Sequence, residues 1–214
     1  MFVISMVSGK PNFENVLFVR IELKGTKVWR RILVPEISTF WDLHVAIQDS
    51  MGWTDSHLHE FRIHPKGKKE FVRIGIPSED DLGFGWIVLP GFEEIVTDHL
   101  SMNGLKNMFY VYDFGDGWIH EVILEGIHTR EKGKRYPICI DGEKQCPPED
   151  CGGVWGYHEI LEILERGPRN EDERETMEWL GKYDPDEFYP EKVKFTDPMK
   201  RLKTIYPEFH EMIK

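Results

Sequence analysis

Cysteine is scarce and odd in number: three residues in 214, too few for a disulfide framework. Free thiols in a reducing cytoplasm are the expectation. Long hydrophobic runs are missing as well, since every apolar stretch is interrupted within a few residues, so no segment can span a bilayer. The first residues, MFVISMVSGKPNF, have no basic residue ahead of the apolar stretch and no convincing cleavage site. They read as a first strand or arm, not a signal peptide. No H-E-x-x-H, nucleophile elbow, Walker loop or C-x-x-C pair occurs, so no motif announces a reaction. Internal repeats and low-complexity segments are absent too.

Positive charge is in short supply: 27 Lys and Arg face 38 Asp and Glu, a net charge of -11. Such a surface repels a phosphate backbone, and a nucleic-acid partner would need a metal or a local basic patch. KGKKEFVR (66–73), REKGKR (130–135) and KVKFTDPMKRLK (192–203) are locally basic, but each reads better as a solvated loop or helix face.

What is there is an ordinary globular balance, 40% hydrophobic and 30% charged. VLFVRIEL (16–23) alternates as a half-buried strand, Gly25 marks a turn, and VWRRILV (28–34) returns until Pro35 stops it. Ser38 or Thr39 caps a helix to about residue 50, with Asp42 completing a capping box and Gly52 ending it. HEFRI (59–63) is the next strand. This order predicts an α+β fold: a β-grasp-like hairpin–helix–strand core with a mixed sheet and a helical C-terminal third packed on it. One domain over 1–214 is expected, with a β-rich half (1–128) and a loop and helical half (129–214). Residues 65–105 read as an irregular insertion with one short helix near EEIVTDHL, and the sheet resumes at 108–113 and 118–127. Later helices are marked by Tyr157, Ile160, Leu161 and Leu164, by 172–180 before Gly181, and by Asp197-Pro198.

Two stretches carry the candidate chemistry. YVYDFGDGWIH (110–120) reads as a hairpin whose glycines and Asp116 suit the turn. Placing Asp113 opposite Trp118 and Val111 opposite His120 puts Asp113 and His120 on one face as diagonal neighbours. An Asp–His pair is either a structural hydrogen bond or the minimal unit of a general base or metal ligand. In the second stretch, YPICIDGEKQCPPEDCGGVWGYH (136–158), Pro147-Pro148 forms a stiff stem for Glu149 and Asp150. Those carboxylates invite a metal or a basic side chain, or else complement the next helix's N-terminus. Cys139, Cys146 and Cys151, with His120 or His158, could form a Cys3His zinc site; the alternative is three buried or free thiols. Trp118 and Trp155 could wall a pocket, and the hairpin and the 146–157 loop are expected to meet as one site.

YVYDFGDGWIH and CPPEDCGGVWGY resemble the two signatures of the Ri-plasmid open-reading-frame-3-like family, whose members are also labelled insertion-element passenger proteins and linked to mobile elements. The likeness runs from about Asn15 to Asp197 and implies an α+β domain similar to a β-grasp fold in its first half. It marks Asp113, Gly115, Asp116, Trp118, His120, Pro147, Pro148, Glu149, Asp150, Gly152, Gly153 and Tyr157, and implies little about activity. Two readings follow. The favoured one is a cytoplasmic binding or accessory module whose polar, aromatic-walled cleft (Asp113, Asp116, Trp118, His120, Glu149, Asp150, Trp155, Tyr157) holds a peptide, a basic side chain or a small ligand. The alternative is a metal-dependent hydrolase, acting on phosphodiesters for instance. It would use zinc or another divalent ion on Asp113, Asp116, His120, Glu149 and Asp150.

Overall fold

The alternating apolar residues of the first third become two paired strands. The structure, a computed structural model, describes residues 13–67, 70–78 and 86–212. The expected N-terminal strand or arm therefore lies outside the described residues, as does part of the glycine-punctuated run 82–92. β1 (Asn15–Leu23) and β2 (Trp29–Pro35) form an antiparallel hairpin turned at Gly25, with Val19 opposite Ile32. Leu17, Val19, Ile21 and Leu23 point inward and are buried, as period-two patterning requires.

Helix α1 (Phe40–Met51) starts at the expected box: the Asp42 amide donates to Thr39 Oγ1 at 3.1 Å and the Thr39 amide to the Asp42 carboxylate at 2.9 Å. Gly52 ends it at φ +87°. The helix is buried nearly all round, as a helix covered on two sides must be. Phe40, Leu43, Ala46, Ile47 and Met51 face the main core, while Trp41 and Val45 pack with Phe92 and Leu202.

The remaining strands are β3 (His59–Ile63), β4 (Val72–Gly75), β5 (Val88–Pro90), β6 (Asn107–Tyr112), β7 (Trp118–Thr129) and β8 (Ile138–Glu143). They complete an eight-stranded sheet of order β5-β4-β3-β6-β7-β1-β2-β8. All neighbours are antiparallel except β4 and β5, so the fold is α+β with a mixed sheet. The β6–β7 hairpin lies between β1 and β3, separating the opening hairpin from the strand that follows α1. Residues 65–105 are more regular than expected: they supply β4, β5 and the one-turn helix α2 (Val96–His99). β8 lies where a loop was expected. Its sequence ICIDGE is too short and polar to show alternation, and pairing with β2 settles it.

The β6–β7 hairpin departs from the expected register by one residue. Tyr112 pairs with Trp118 and Tyr110 with His120, while Asp113 leaves the ladder at φ +54°. Asp113 opens a turn instead. Its Oδ1 accepts the amides of Gly115 (2.9 Å) and Asp116 (3.3 Å), and the Gly117 amide closes on its carbonyl at 2.7 Å. This register sends Tyr110, Tyr112, Trp118 and His120 together into the core; the expected one would have turned two of them out.

The last third holds α3 (Gly153–Arg166), α4 (Glu171–Leu180), a 3-10 turn at Pro190–Lys192, α5 (Pro198–Ile205) and α6 (Pro207–Met212). Asp197 caps α5 with proline at its first position. α5 docks on α1: Trp41 Nε1 donates to the Pro198 carbonyl at 2.8 Å and Arg201 pairs with Asp49 at 2.6 Å.

One core-facing residue of β2 is charged. Arg30 is 1% exposed and donates to the carbonyls of Ser50 (2.8 Å), Trp29 (2.8 Å) and Glu143 (2.9 Å), with its guanidinium 3.6 Å from the Phe188 ring centre. Burial lowers its pKa from the usual guanidinium value. It joins the end of α1, β2, β8 and the segment after α4. Arg30→Leu leaves those carbonyls without donors and should lower the unfolding free energy by about 3 kcal/mol in urea titration. A loss under about 1 kcal/mol would show that water replaces the guanidinium there.

Candidate functional site

Three loops converge at the turn end of the β6–β7 hairpin: 53–57 between α1 and β3, the hairpin turn 113–117, and 146–153 before α3. Trp53, released from the helix by Gly52, is the hydrophobic pin. Its ring stacks on Tyr112 (5.0 Å, 25°), lies 5.8 Å from Trp118 and meets His120 edge-on (5.3 Å, 87°). Its indole N–H donates to the Pro147 carbonyl at 2.9 Å.

Glu149 is the polar pin. One carboxylate oxygen accepts the Tyr112 hydroxyl, and the other accepts the Thr54 amide (3.0 Å) and the Thr54 hydroxyl. The Tyr112 oxygen in turn accepts the Ser56 amide at 3.0 Å. Burial first, then the bond and charge of Glu149, push the Tyr112 pKa up. A third staple joins the turns: the Gly152 amide donates to Asp116 Oδ2 at 3.2 Å. Gly153, at φ +66°, sits so close that a Cβ there would lie 2.4 Å from the Asp116 carbonyl oxygen. The hairpin and the proline loop therefore meet.

Where they meet, His57 Nε2 lies 3.1 Å from Asp150 Oδ1 and 3.7 Å from Asp113 Oδ2. The three donor atoms all lie within 4.8 Å of one another. Both carboxylates sit on left-handed backbone, φ +54° at Asp113 and +59° at Asp150, a conformation that aspartate tolerates better than most side chains. The Asp150 side chain is 73% exposed, so the group opens to solvent on that side.

Several expected residues are placed elsewhere. His120 is fully buried, with Nδ1 3.3 Å from the Tyr110 carbonyl, and burial pushes its pKa down to about 3. It does not pair with Asp113, because the one-residue register change separates them. Trp118 is core beneath Trp53, Trp155 stands in solvent at 89% exposure, and Tyr157 is buried at the foot of α3. Asp116 and Glu149 hold the loops together through Gly152, Tyr112 and Thr54. The cysteines are free, and Cys139 and Cys146 are buried. Burial raises all three thiols, that of Cys151 to about 12, which favours the protonated form over the thiolate. Among the described residues, no close group of three or more metal-ligand side chains contains a cysteine, so the Cys3His arrangement does not form. His158, the other candidate, faces the Gly25 carbonyl at 2.9 Å.

A second donor group, His44, Asp55 and His59, is fully interior. Gln48 fixes its protons. The Gln48 Oε1 accepts the Asp55 amide (3.1 Å), so its Nε2 donates to the Tyr110 hydroxyl (2.9 Å). The hydroxyl proton then goes to His44 Nδ1 (2.9 Å), and His44 Nε2–H donates to Asp55 Oδ1 (2.8 Å). His44 and His59 stack 3.5 Å apart at 7°, so their lone pairs lie in near-parallel planes that do not meet at one ion. Burial holds both histidines well below the usual range and raises Asp55 to about 6. This group is a framework under α1, beside Arg201.

Sequence reasoning missed His57, Thr54 and Trp53. The signal was present as TDSHLHE directly after the Gly52 stop, a third polar cluster that was read only as the approach to β3.

Residues 15–192 match the family model described as plasmid pRiA4b ORF-3-like protein. The chain is 37% identical over 159 residues to the uncharacterized protein y4hQ of Sinorhizobium fredii, covering 74% of this chain and 76% of that protein. It is also similar to the crystal structure of MM3350, a protein of unknown function from Methanosarcina mazei Go1. The TM-score is 0.77 and the identity 41%, over 87% of this chain and all of that one.

The tight seat of Gly153 gives a contrast. Gly153→Ala adds a clash with Asp116 to a left-handed backbone, and should cost about 3 kcal/mol in urea unfolding. Gly52→Ala, also at positive φ but with nothing within 4 Å, should cost about 1 kcal/mol. Equal losses would show that the turn-to-loop contact is not tight.

Proposed function

The chain belongs to the plasmid pRiA4b ORF-3-like family, and from that premise we propose that it is a small cytoplasmic binding module for a peptide or small ligand. The observation that carries this reading is a cleft of about 480 Å³ beside the stapled loop, lined among others by Trp53, Pro147, Pro148, Glu149, Trp179 and Lys182. The two prolines make a wall that needs no ordering on binding. Trp179, 56% exposed on α4, offers an aromatic face to an apolar or basic side chain. Glu149 and Lys182 supply polar groups of both signs to orient the ligand. The wall tryptophans are thus Trp53 and Trp179 rather than Trp118 and Trp155.

Pairing of β8 with β2 and docking of α5 on α1 support one unit spanning both halves of the chain. Three free thiols support a reducing compartment. No helix among the described residues is long and apolar enough to cross a membrane.

Short basic and aromatic peptides titrated against tryptophan fluorescence test the proposal. Trp179→Ala should weaken the tightest ligand by about 10-fold or more, and Trp155→Ala should leave it unchanged. Binding that depends on Trp155 and ignores Trp179 would contradict it.

A further inference from the structure

We propose that His57, Asp113 and Asp150 form a site for a single divalent transition-metal ion of the zinc class. The three side chains come from three separate loops, and each loop is held by bonds that involve none of the three donor atoms. The donor set is therefore positioned by the fold before any ion arrives.

The distances are of the size that an ion requires. Metal bonds of about 2.0–2.2 Å in a tetrahedron put neighbouring ligand atoms roughly 3.3–3.6 Å apart. The observed His57 Nε2 separations, 3.1 and 3.7 Å, bracket that edge. A histidine paired with a carboxylate would aim its N–H along one N···O line. His57 Nε2 instead is a buried atom that makes no aligned hydrogen bond, although both carboxylates are near.

The surrounding bonds suit ligation. Asp113 Oδ1 is occupied by the amides of Gly115 and Asp116, which leaves Oδ2 as the free donor and fixes its direction. The His57 ring is held edge-on against Tyr112 at 5.7 Å. One imidazole with two carboxylates suits zinc and its first-row neighbours, whereas calcium and magnesium prefer oxygen alone. Two carboxylates and a neutral imidazole also match the charge of a divalent ion. Three protein donors, with Asp150 largely exposed, leave a coordination position open to solvent. An ion there could bind a water molecule or an anionic group brought to the junction.

The two sites share Trp53, Pro147 and Glu149 as framework, but none of the donors His57, Asp113 and Asp150 lines the peptide cleft, so variants at the donors test the metal site without touching the cleft wall. The test is titration of tag-free, chelator-stripped full-length protein with Zn²⁺ by calorimetry and with Co²⁺ by absorption. Stoichiometric uptake is expected, with tetrahedral or five-coordinate Co²⁺ bands and no thiolate charge-transfer band. His57→Ala and Asp150→Asn should each weaken binding about 100-fold or more. Asp150→Asn is the safer variant, since asparagine tolerates φ near +59° and the side chain is exposed. No uptake at micromolar metal, uptake retained in both variants, or a thiolate band would overturn the proposal.

Discussion

Glu149 is the group on which the arrangement turns. Its two oxygens collect a hydroxyl from β6 and an amide and hydroxyl from the loop after α1. A carboxylate that accepts several bonds at once holds its donors more firmly than neutral pairs do. The bonded groups lie far apart in sequence, so the carboxylate brings together segments that chain connectivity leaves free. Trp53 and Asp116 repeat the logic with an indole and a backbone amide. The proline stem then works as a strut rather than a linker.

Strain follows from this closure. Four described residues other than glycine have positive φ, and three are aspartates: Asp55, Asp113 and Asp150. All three belong to one or other of the two donor groups. Aspartate is the charged side chain that bears left-handed backbone at least cost, because it can bond its own turn, as Asp113 does. Such conformations persist only where neighbouring structure over-determines them. The two groups still differ in kind. Each keeps an unbonded ring nitrogen, His59 Nδ1 inside and His57 Nε2 outside, but the interior one is held in parallel stacking beneath Tyr110 and Gln48, while the outer one has an exposed carboxylate.

Much of the fold was legible in local chemistry. The opening hairpin, the Thr39–Asp42 box, the Gly52 stop and the Asp197-Pro198 start each rest on interactions within a few residues, and each stands as expected. What could not be read was long-range. β8 is a strand because β2 offers it an edge, and β4 and β5 extend the sheet from the other side. The register of β6 and β7 was misjudged because Asp113 was counted as a strand residue. Four inward aromatic rings decided otherwise. The two dense motifs did come together, but His120 and Trp118 went to the core and the half-buried His57 took the place beside Asp113 and Asp150. Sequence pattern shows which residues are chemically capable; pairing partners decide which face outward.

A double-mutant cycle on unfolding free energy with Tyr112→Phe and Glu149→Gln reads the clamp itself. A clamp that joins hairpin and loop predicts that the two losses are strongly non-additive, with a coupling of about 1.5–3 kcal/mol, as expected for a hydrogen bond to a charged acceptor. Additivity within about 0.5 kcal/mol would show that Glu149 does not bind the hairpin to the proline loop, and the common site at their junction would lose its foundation.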